Sequence, residues 1–128
     1  MYNYVEKKAE YLNVATGLFN YIISIGARSD NRWNYLYNEK GEVKEEDISI
    51  YVDGFVLAGM TEYYIATGNE TALKTALDIY ECTLEQMANP GSYRVAPYVI
   101  PKGTKTHGVN MNYQPVLYSL AFLLFKNI

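Results

Sequence analysis

The sequence has little of what disulfide and metal chemistry require. Its 128 residues include one cysteine, Cys82, and one histidine, His107. A lone cysteine cannot form an internal disulfide, and its place in an apolar helical pattern predicts a buried thiol in a reducing compartment. A metal site needs several converging ligands, so we expect neither a metal ion nor another cofactor.

Long apolar runs and basic clusters are also missing. The longest apolar run extends from Leu120 to Phe125 and is far too short to span a bilayer. The polar, charged stretch from Asn3 to Glu10 does not have the pattern of a signal peptide. With a net charge of −3 and no basic stretch, the sequence lacks the electrostatic footprint of a nucleic-acid binder. We therefore expect a cytoplasmic protein that binds neither nucleic acid nor membrane.

Tyrosine is the residue in excess, with 14 copies against one Trp and four Phe. Because Tyr combines an apolar ring with a polar hydroxyl, it suits both helix packing and the walls of sugar sites. The apolar fraction of 49% and the charged fraction of 20% are ordinary for a soluble globular domain. The length is enough for one domain with a core of its own.

Four segments have helical periodicity. Apolar residues recur at three- and four-residue steps in residues 4–25 and 70–88, which predicts two amphipathic helices. Residues 49–67 and the segment from about 109 to the last residues are apolar almost all round, which predicts helices buried on several sides. Pro115 is expected in or near the first turn of the last helix, since deeper it would kink the helix.

Between the first two helices, in residues 32–44, the aromatic residues at 33, 35 and 37 alternate with Asn34, Leu36 and Asn38, and Glu39-Lys40-Gly41-Glu42 supplies a turn. This pattern predicts a short β-hairpin or an extended loop. The charge run over residues 44–47 predicts a solvated connection to the next helix.

The alternation of amphipathic and all-round apolar helices predicts a two-layer, all-α array of outer and inner helices. We expect residues 1–128 to form a single domain that is incomplete, because nothing follows to cover the apolar last helix. Its exposed apolar edge predicts homo-oligomers or a truncated chain.

The segment from Ser49 to Tyr64 reads SIYVDGFVLAGMTEYY and continues through Thr67-Gly68-Asn69-Glu70. It resembles the N-acylglucosamine 2-epimerase and cellobiose 2-epimerase family, whose members carry an aromatic-x-acidic-x-Phe step and a helix ending in Glu-Tyr. Residues 33–46 and 107–111 resemble the family segments on either side. The resemblance implies a partial (α/α)₆ toroid, an early-middle slice with about four helices.

The resemblance also implies a function, namely epimerisation of N-acylglucosamine, mannose or a related saccharide by proton transfer at C2. The family's catalytic histidines lie in later helices and have no matching positions in this sequence. We therefore assign no catalytic residue and expect no activity from this chain alone.

Five residues are candidates for saccharide binding, and each has a structural alternative. Tyr51 and Asp53 begin an inner helix and suit a sugar, although an acid there also favours the helix dipole. His107 either contacts sugar hydroxyls or bonds locally in its loop. Asn110 and Asn112, where cellobiose 2-epimerase relatives have histidines, either bind hydroxyls through their amides or cap the helix.

Two other functions stay open. A non-catalytic carbohydrate-binding helical module would keep the sugar face without the histidines. A glycoside hydrolase related by the toroid fold would need two carboxylates across a cleft, whereas Asp53 and Glu62 lie nine residues apart on one helix.

Overall fold

The computed structural model describes residues 8–89, 91–95, 98–101, 103–104 and 106–125. Its elements in chain order are α1 (Ala9–Ile25), β1 (Asn34–Tyr37), β2 (Val43–Ile48), α2 (Ile50–Thr67), α3 (Glu70–Ala88) and α4 (His107–Phe125). This confirms the predicted all-α fold with a hairpin after the first helix. The parts of the first and last predicted helices at residues 4–7 and 126–128 lie outside the described residues.

The link between α2 and α3 is two residues long and uses both as caps. Gly68 takes the left-handed conformation, and its N–H donates to the carbonyl of Tyr64 at 2.7 Å. Asn69 then accepts a hydrogen bond from the backbone N–H of Ala72 at 3.0 Å. Because so short a link reverses the chain, α2 and α3 pack as an antiparallel pair.

The two strands pair antiparallel, with Leu36 opposite Glu45 and Tyr37 opposite Val43. In the turn, the Asn38 side-chain oxygen accepts from the N–H groups of Lys40 and Glu42, each at 2.9 Å. The prediction of a solvated connection at residues 44–47 was wrong for the backbone, because β2 continues to Ile48. Pairing with β1 gives this stretch hydrogen-bond partners that a free connection would lack.

Helix α2 lies at the centre and contacts each of the other three helices. Against α1, the rings of Phe19 and Tyr63 stack at 4.4 Å between centroids, and the Tyr63 hydroxyl donates to Thr16 at 3.1 Å. The remaining core side chains from the helices are Ile50, Leu57 and Met60 of α2, Ala72, Ala76 and Ile79 of α3, and Val109, Tyr113 and Leu120 of α4. Contact with three helices agrees with the inner position predicted for α2, but its enclosure is incomplete, because Phe55 is 66% exposed.

Two local predictions were wrong. Pro115 is the ninth residue of α4 and not in its first turn, since the helix begins at His107. A proline there cannot donate to the carbonyl four residues earlier, but Pro115 is exposed, so its ring does not displace core side chains. Cys82 is only half-buried, because α3 turns Ile79 and Thr83 toward α2 and leaves the cysteine at the margin of that face.

The described part of the chain holds no helix that combines the length and apolarity needed to cross a bilayer. It also holds no group of three or more His, Cys, Asp or Glu side chains placed to share a metal ion.

Candidate functional site

The N-terminal halves of α2 and α4 approach each other at two glycines. A Cβ atom on Gly108 would lie 2.5 Å from the hydroxyl oxygen of Tyr51, and one on Gly54 would lie 2.6 Å from Oδ1 of Asn112. The contacts advance in the same direction along both helices. The helices are therefore parallel, and their N-termini lie at the same end of the molecule. We call the four residues Tyr51, Gly54, Gly108 and Asn112 the α2–α4 seam.

On its buried side, the seam is stabilised by Tyr113. Its side chain is fully buried, and its hydroxyl donates to the carbonyl of Ile50 in the first turn of α2. Burial raises the pKa of Tyr113 well above its ordinary value of 10.0, so the phenol stays protonated and remains a donor. This bond fixes the start of α4 against the start of α2.

Asp53 lies on a different side of α2 and faces the protein interior. Its Oδ2 accepts from Arg32 Nε at 2.9 Å, and its Oδ1 accepts from the backbone N–H of Trp33 at 3.0 Å. Burial raises the pKa of Asp53 above 3.8, against the opposing effect of the Arg32 guanidinium and the hydrogen bonds. The carboxylate thus joins α2 to the segment that enters the hairpin.

Further polar atoms are buried near this junction. Within the described residues, Arg32 Nη2, Trp33 Nε1, Thr83 Oγ1 and Gln86 Oε1 have no hydrogen-bond partner in the protein. Buried polar groups are costly unless paired, and here they accompany a buried ion pair. The junction of hairpin, α2 and α3 is therefore a polar part of an otherwise apolar interior.

The structure brings together some of the predicted site residues and separates others. Tyr51 and Asn112 are half-buried at the seam, and exposed His107 directly precedes Gly108. Asp53 is two positions from Tyr51, or about 200° around the helix, so the two point to different sides. The same offset separates exposed Asn110 from Asn112. Saccharide binding by each of the five residues stays a prediction.

The sequence analysis did not identify four residues that matter in this region, namely Gly54, Gly108, Tyr113 and Arg32. Glycines inside helices are a signal for close approach, and Gly54 and Gly108 could have been identified on that ground. Tyr113 resembled any other core tyrosine. Arg32 carried no signal, because its partner Asp53 lies 21 residues away along the chain.

A large apolar groove lies elsewhere, between α1 and α2. It has a volume of about 790 Å³ and is lined by side chains such as Leu18, Phe19, Phe55 and Met60, together with Gly59. None of the five predicted binding residues lines it. Among the described residues that line it, Glu62 alone is charged, so they offer few partners for sugar hydroxyls.

Comparison with known proteins gives a partial similarity and a negative result. The chain is 32% identical, over 95 residues, to the cellobiose 2-epimerase of Dictyoglomus turgidum. The match covers 73% of this chain but 24% of that protein, so the chain spans about a quarter of the relative's length. No protein-family model matches the chain. The chain is thus similar to a segment of a sugar epimerase.

Proposed function

We propose that this chain is a segment of a sugar 2-epimerase or isomerase of the N-acylglucosamine 2-epimerase family. Its substrate would be N-acylglucosamine, mannose or a related saccharide, which undergoes proton transfer at C2. The observation that carries the proposal is the 32% identity to a cellobiose 2-epimerase over 73% of the chain. The parallel inner pair α2 and α4, with α3 packed antiparallel outside, supports a slice of an (α/α)₆ toroid.

In this proposal the α2–α4 seam contributes saccharide binding. The Tyr51 hydroxyl and the Asn112 amide can each donate to and accept from sugar hydroxyls, and His107 lies at the same end of the helices. Two-sided proton transfer at a carbon needs two acid/base groups with pKa values near neutrality. The seam supplies amide and phenol groups beside a single histidine, so the proton-transfer groups belong to other segments of a full-length family member.

The test separates binding from chemistry by using heavy water. The chain is incubated in D₂O with N-acylglucosamine, mannose and cellobiose, and proton NMR follows the loss of the C2 proton signal. A longer protein that contains this segment should exchange that proton for at least one sugar, whereas the 128-residue chain should bind sugar without exchange. Absence of exchange in the longer protein with all three sugars would contradict the proposal.

A second candidate is a non-catalytic carbohydrate-binding module. The observation that favours it is the pair of amides Asn110 and Asn112, which replace titratable groups and cannot act as bases near neutral pH. The same experiment distinguishes the two, because a binding module binds sugar without C2 exchange even in the longer protein. If the longer protein binds none of the three sugars, both candidates are excluded.

A further inference from the structure

Gly108 occupies a helical position whose backbone conformation does not require glycine. Four glycines lie inside the described helices without a positive φ, namely Gly17, Gly54, Gly59 and Gly108. Glycine weakens a helix relative to alanine, so a glycine at such a position needs another reason. The surroundings of Gly17 and Gly59 supply none, because a Cβ atom there would meet nothing within 4 Å.

At Gly108 the reason is the hydroxyl group of Tyr51. A Cβ atom would lie 2.5 Å from the hydroxyl oxygen, closer than Cβ atoms approach other groups in proteins. The next neighbours are Tyr51 Cζ at 3.7 Å and Thr106 Cγ2 at 4.0 Å, which are ordinary van der Waals distances. One oxygen atom therefore accounts for the whole conflict, and it uses the space that a side chain at 108 would need.

Gly54, the other glycine of the α2–α4 seam, meets a different kind of neighbour. A Cβ atom there would lie 3.0 Å from the fully buried ring of Tyr113, as well as 2.6 Å from Asn112 Oδ1. Tyr51 is only half-buried, and its hydroxyl is the far end of its side chain. A methyl group at 54 therefore presses on the core, whereas a methyl group at 108 can be accommodated by displacement of the Tyr51 hydroxyl.

The group that would be displaced is one of the candidate saccharide ligands. The Tyr51 hydroxyl can donate and accept hydrogen bonds, and it lies on the first turn of α4, where Gly108 directly follows exposed His107. Hydrogen bonds weaken steeply outside a narrow range of distance and angle. A shift of the hydroxyl by about 1 Å would therefore break its bond to a bound sugar.

We propose that Gly108 is a positioning residue for saccharide binding, because the absence of a side chain there leaves room for the Tyr51 hydroxyl on α4. Any larger residue at 108 would move that hydroxyl away from the sugar. The proposal rests on the proposed function, since it takes the α2–α4 seam as the saccharide site. In this role Gly108 acts on the sugar only through Tyr51.

Three variants and one control test this role. Gly108→Ala adds the single methyl group, and Gly17→Ala makes the same change in a helix where the methyl group meets nothing. Tyr51→Phe removes the oxygen, so in Gly108→Ala/Tyr51→Phe the methyl group faces only atoms at ordinary contact distance. Circular dichroism checks that each variant is folded. NMR of protein labelled with ¹³C at the tyrosine Cζ reports the environment of each phenol, and the resonance missing from Tyr51→Phe is that of Tyr51.

We expect the Tyr51 resonance to shift in Gly108→Ala and to keep its position in Gly17→Ala. Calorimetric titration with N-acylglucosamine, mannose and cellobiose should show roughly fivefold weaker binding by Gly108→Ala, the loss expected when one hydrogen bond is removed. The double variant should bind like Tyr51→Phe with no further loss, because the methyl group acts only through the oxygen.

Three outcomes would overturn the proposal and leave the proposed function standing. The Tyr51 resonance could be the same in Gly108→Ala and the wild type. The wild type and Gly108→Ala could bind sugar equally tightly. The losses of affinity from the two single variants could multiply in the double variant, which is the result for a purely structural role of Gly108. A wild type that binds none of the three sugars would instead overturn the binding role of Gly108 and the saccharide role of the seam together.

Discussion

Arg32 donates through Nε to Oδ2 of Asp53 at 2.9 Å, and the two side chains are only 7% and 2% exposed. The pair connects the segment that enters the hairpin, two residues before β1, to the first turn of α2. A second bond, from the Trp33 backbone N–H to the same carboxylate, makes this a two-point attachment. The entry to the hairpin is therefore held by charge and hydrogen bonding as well as by the buried Trp33 ring.

Removal of the guanidinium should destabilise the protein strongly. Arg32→Met leaves the Asp53 carboxylate buried without its counter-charge, which costs about 3–5 kcal/mol in comparable cases. We expect the double variant Arg32→Met/Asp53→Leu to recover part of that loss, because it removes the charge left behind. Urea denaturation of both variants measures the free energies of unfolding. Losses that simply add in the double variant would contradict a coupled pair.

The raised pKa of Asp53 predicts that the free energy of unfolding depends on pH. Burial raises its folded-state pKa above the ordinary value of 3.8. Because the folded state then binds the Asp53 proton more tightly than the unfolded state, protonated Asp53 contributes to stability. That contribution is fully present below the unfolded-state pKa and declines as the pH rises through the folded-state pKa. The free energy of unfolding of the wild type, relative to that of Asp53→Asn, should therefore fall as the pH rises from about 3 to 7.

Denaturation curves of the two proteins over this pH range make the comparison. The Asn variant serves as the control because it carries no titratable group at position 53, while all other carboxylates are shared. A difference that is constant, or that increases with pH, would contradict a raised pKa.

Helix periodicity and capping residues were sufficient to predict most of the fold. Gly68 and Asn69 located the end of α2 and the start of α3, because their conformational preferences act locally. The boundary between β2 and its connection was missed, since strand pairing depends on a partner and the charges at residues 44–47 resembled a solvated loop. Pro115 was misplaced because burial of the α4 face outweighs the local cost of a proline.

The candidate site was less predictable, because contacts between distant residues define it. Tyr51 and Asn112 were chosen from their positions at helix starts, and the structure places them at one seam. Asp53 was chosen on the same ground, yet its partner Arg32 turns it inward. A motif identifies which residues begin a helix, whereas the side of the helix that meets each neighbour depends on the whole packing.

The glycines of α2 should respond in opposite directions to alanine. A Cβ at position 54 would lie 3.0 Å from the buried Tyr113 ring as well as against Asn112, so Gly54→Ala should cost about 1–3 kcal/mol by overpacking. Gly59→Ala is the matched control, because its Cβ meets nothing and alanine favours the helix by roughly 0.5–1 kcal/mol. Thermal and urea unfolding measure both changes. A stabilised Gly54→Ala would contradict the tight seam.

Replacement of the proline inside α4 should stabilise the helix. Pro115→Ala restores an N–H that can donate to the carbonyl of Met111, four residues earlier, and removes the ring from an exposed helix position. The gain should be at most about 3 kcal/mol, the difference between the two residues in a helix interior. Hydrogen exchange at the backbone amides of α4 measures it locally. Unchanged or faster exchange would show that the helix is bent around the proline in a way that alanine does not relieve.

The Tyr51 hydroxyl provides the most direct test of the seam as a saccharide site. The hydroxyl lies at the seam on a half-buried side chain, and Tyr51→Phe removes it without changing the ring. Loss of one hydrogen bond worth about 1 kcal/mol should weaken binding of N-acylglucosamine roughly fivefold. Tyr35→Phe, at an exposed hairpin tyrosine, is the matched control and should bind like the wild type. Calorimetric titration compares the three proteins. Equal affinities for the wild type and Tyr51→Phe would show that the hydroxyl does not take part in sugar binding.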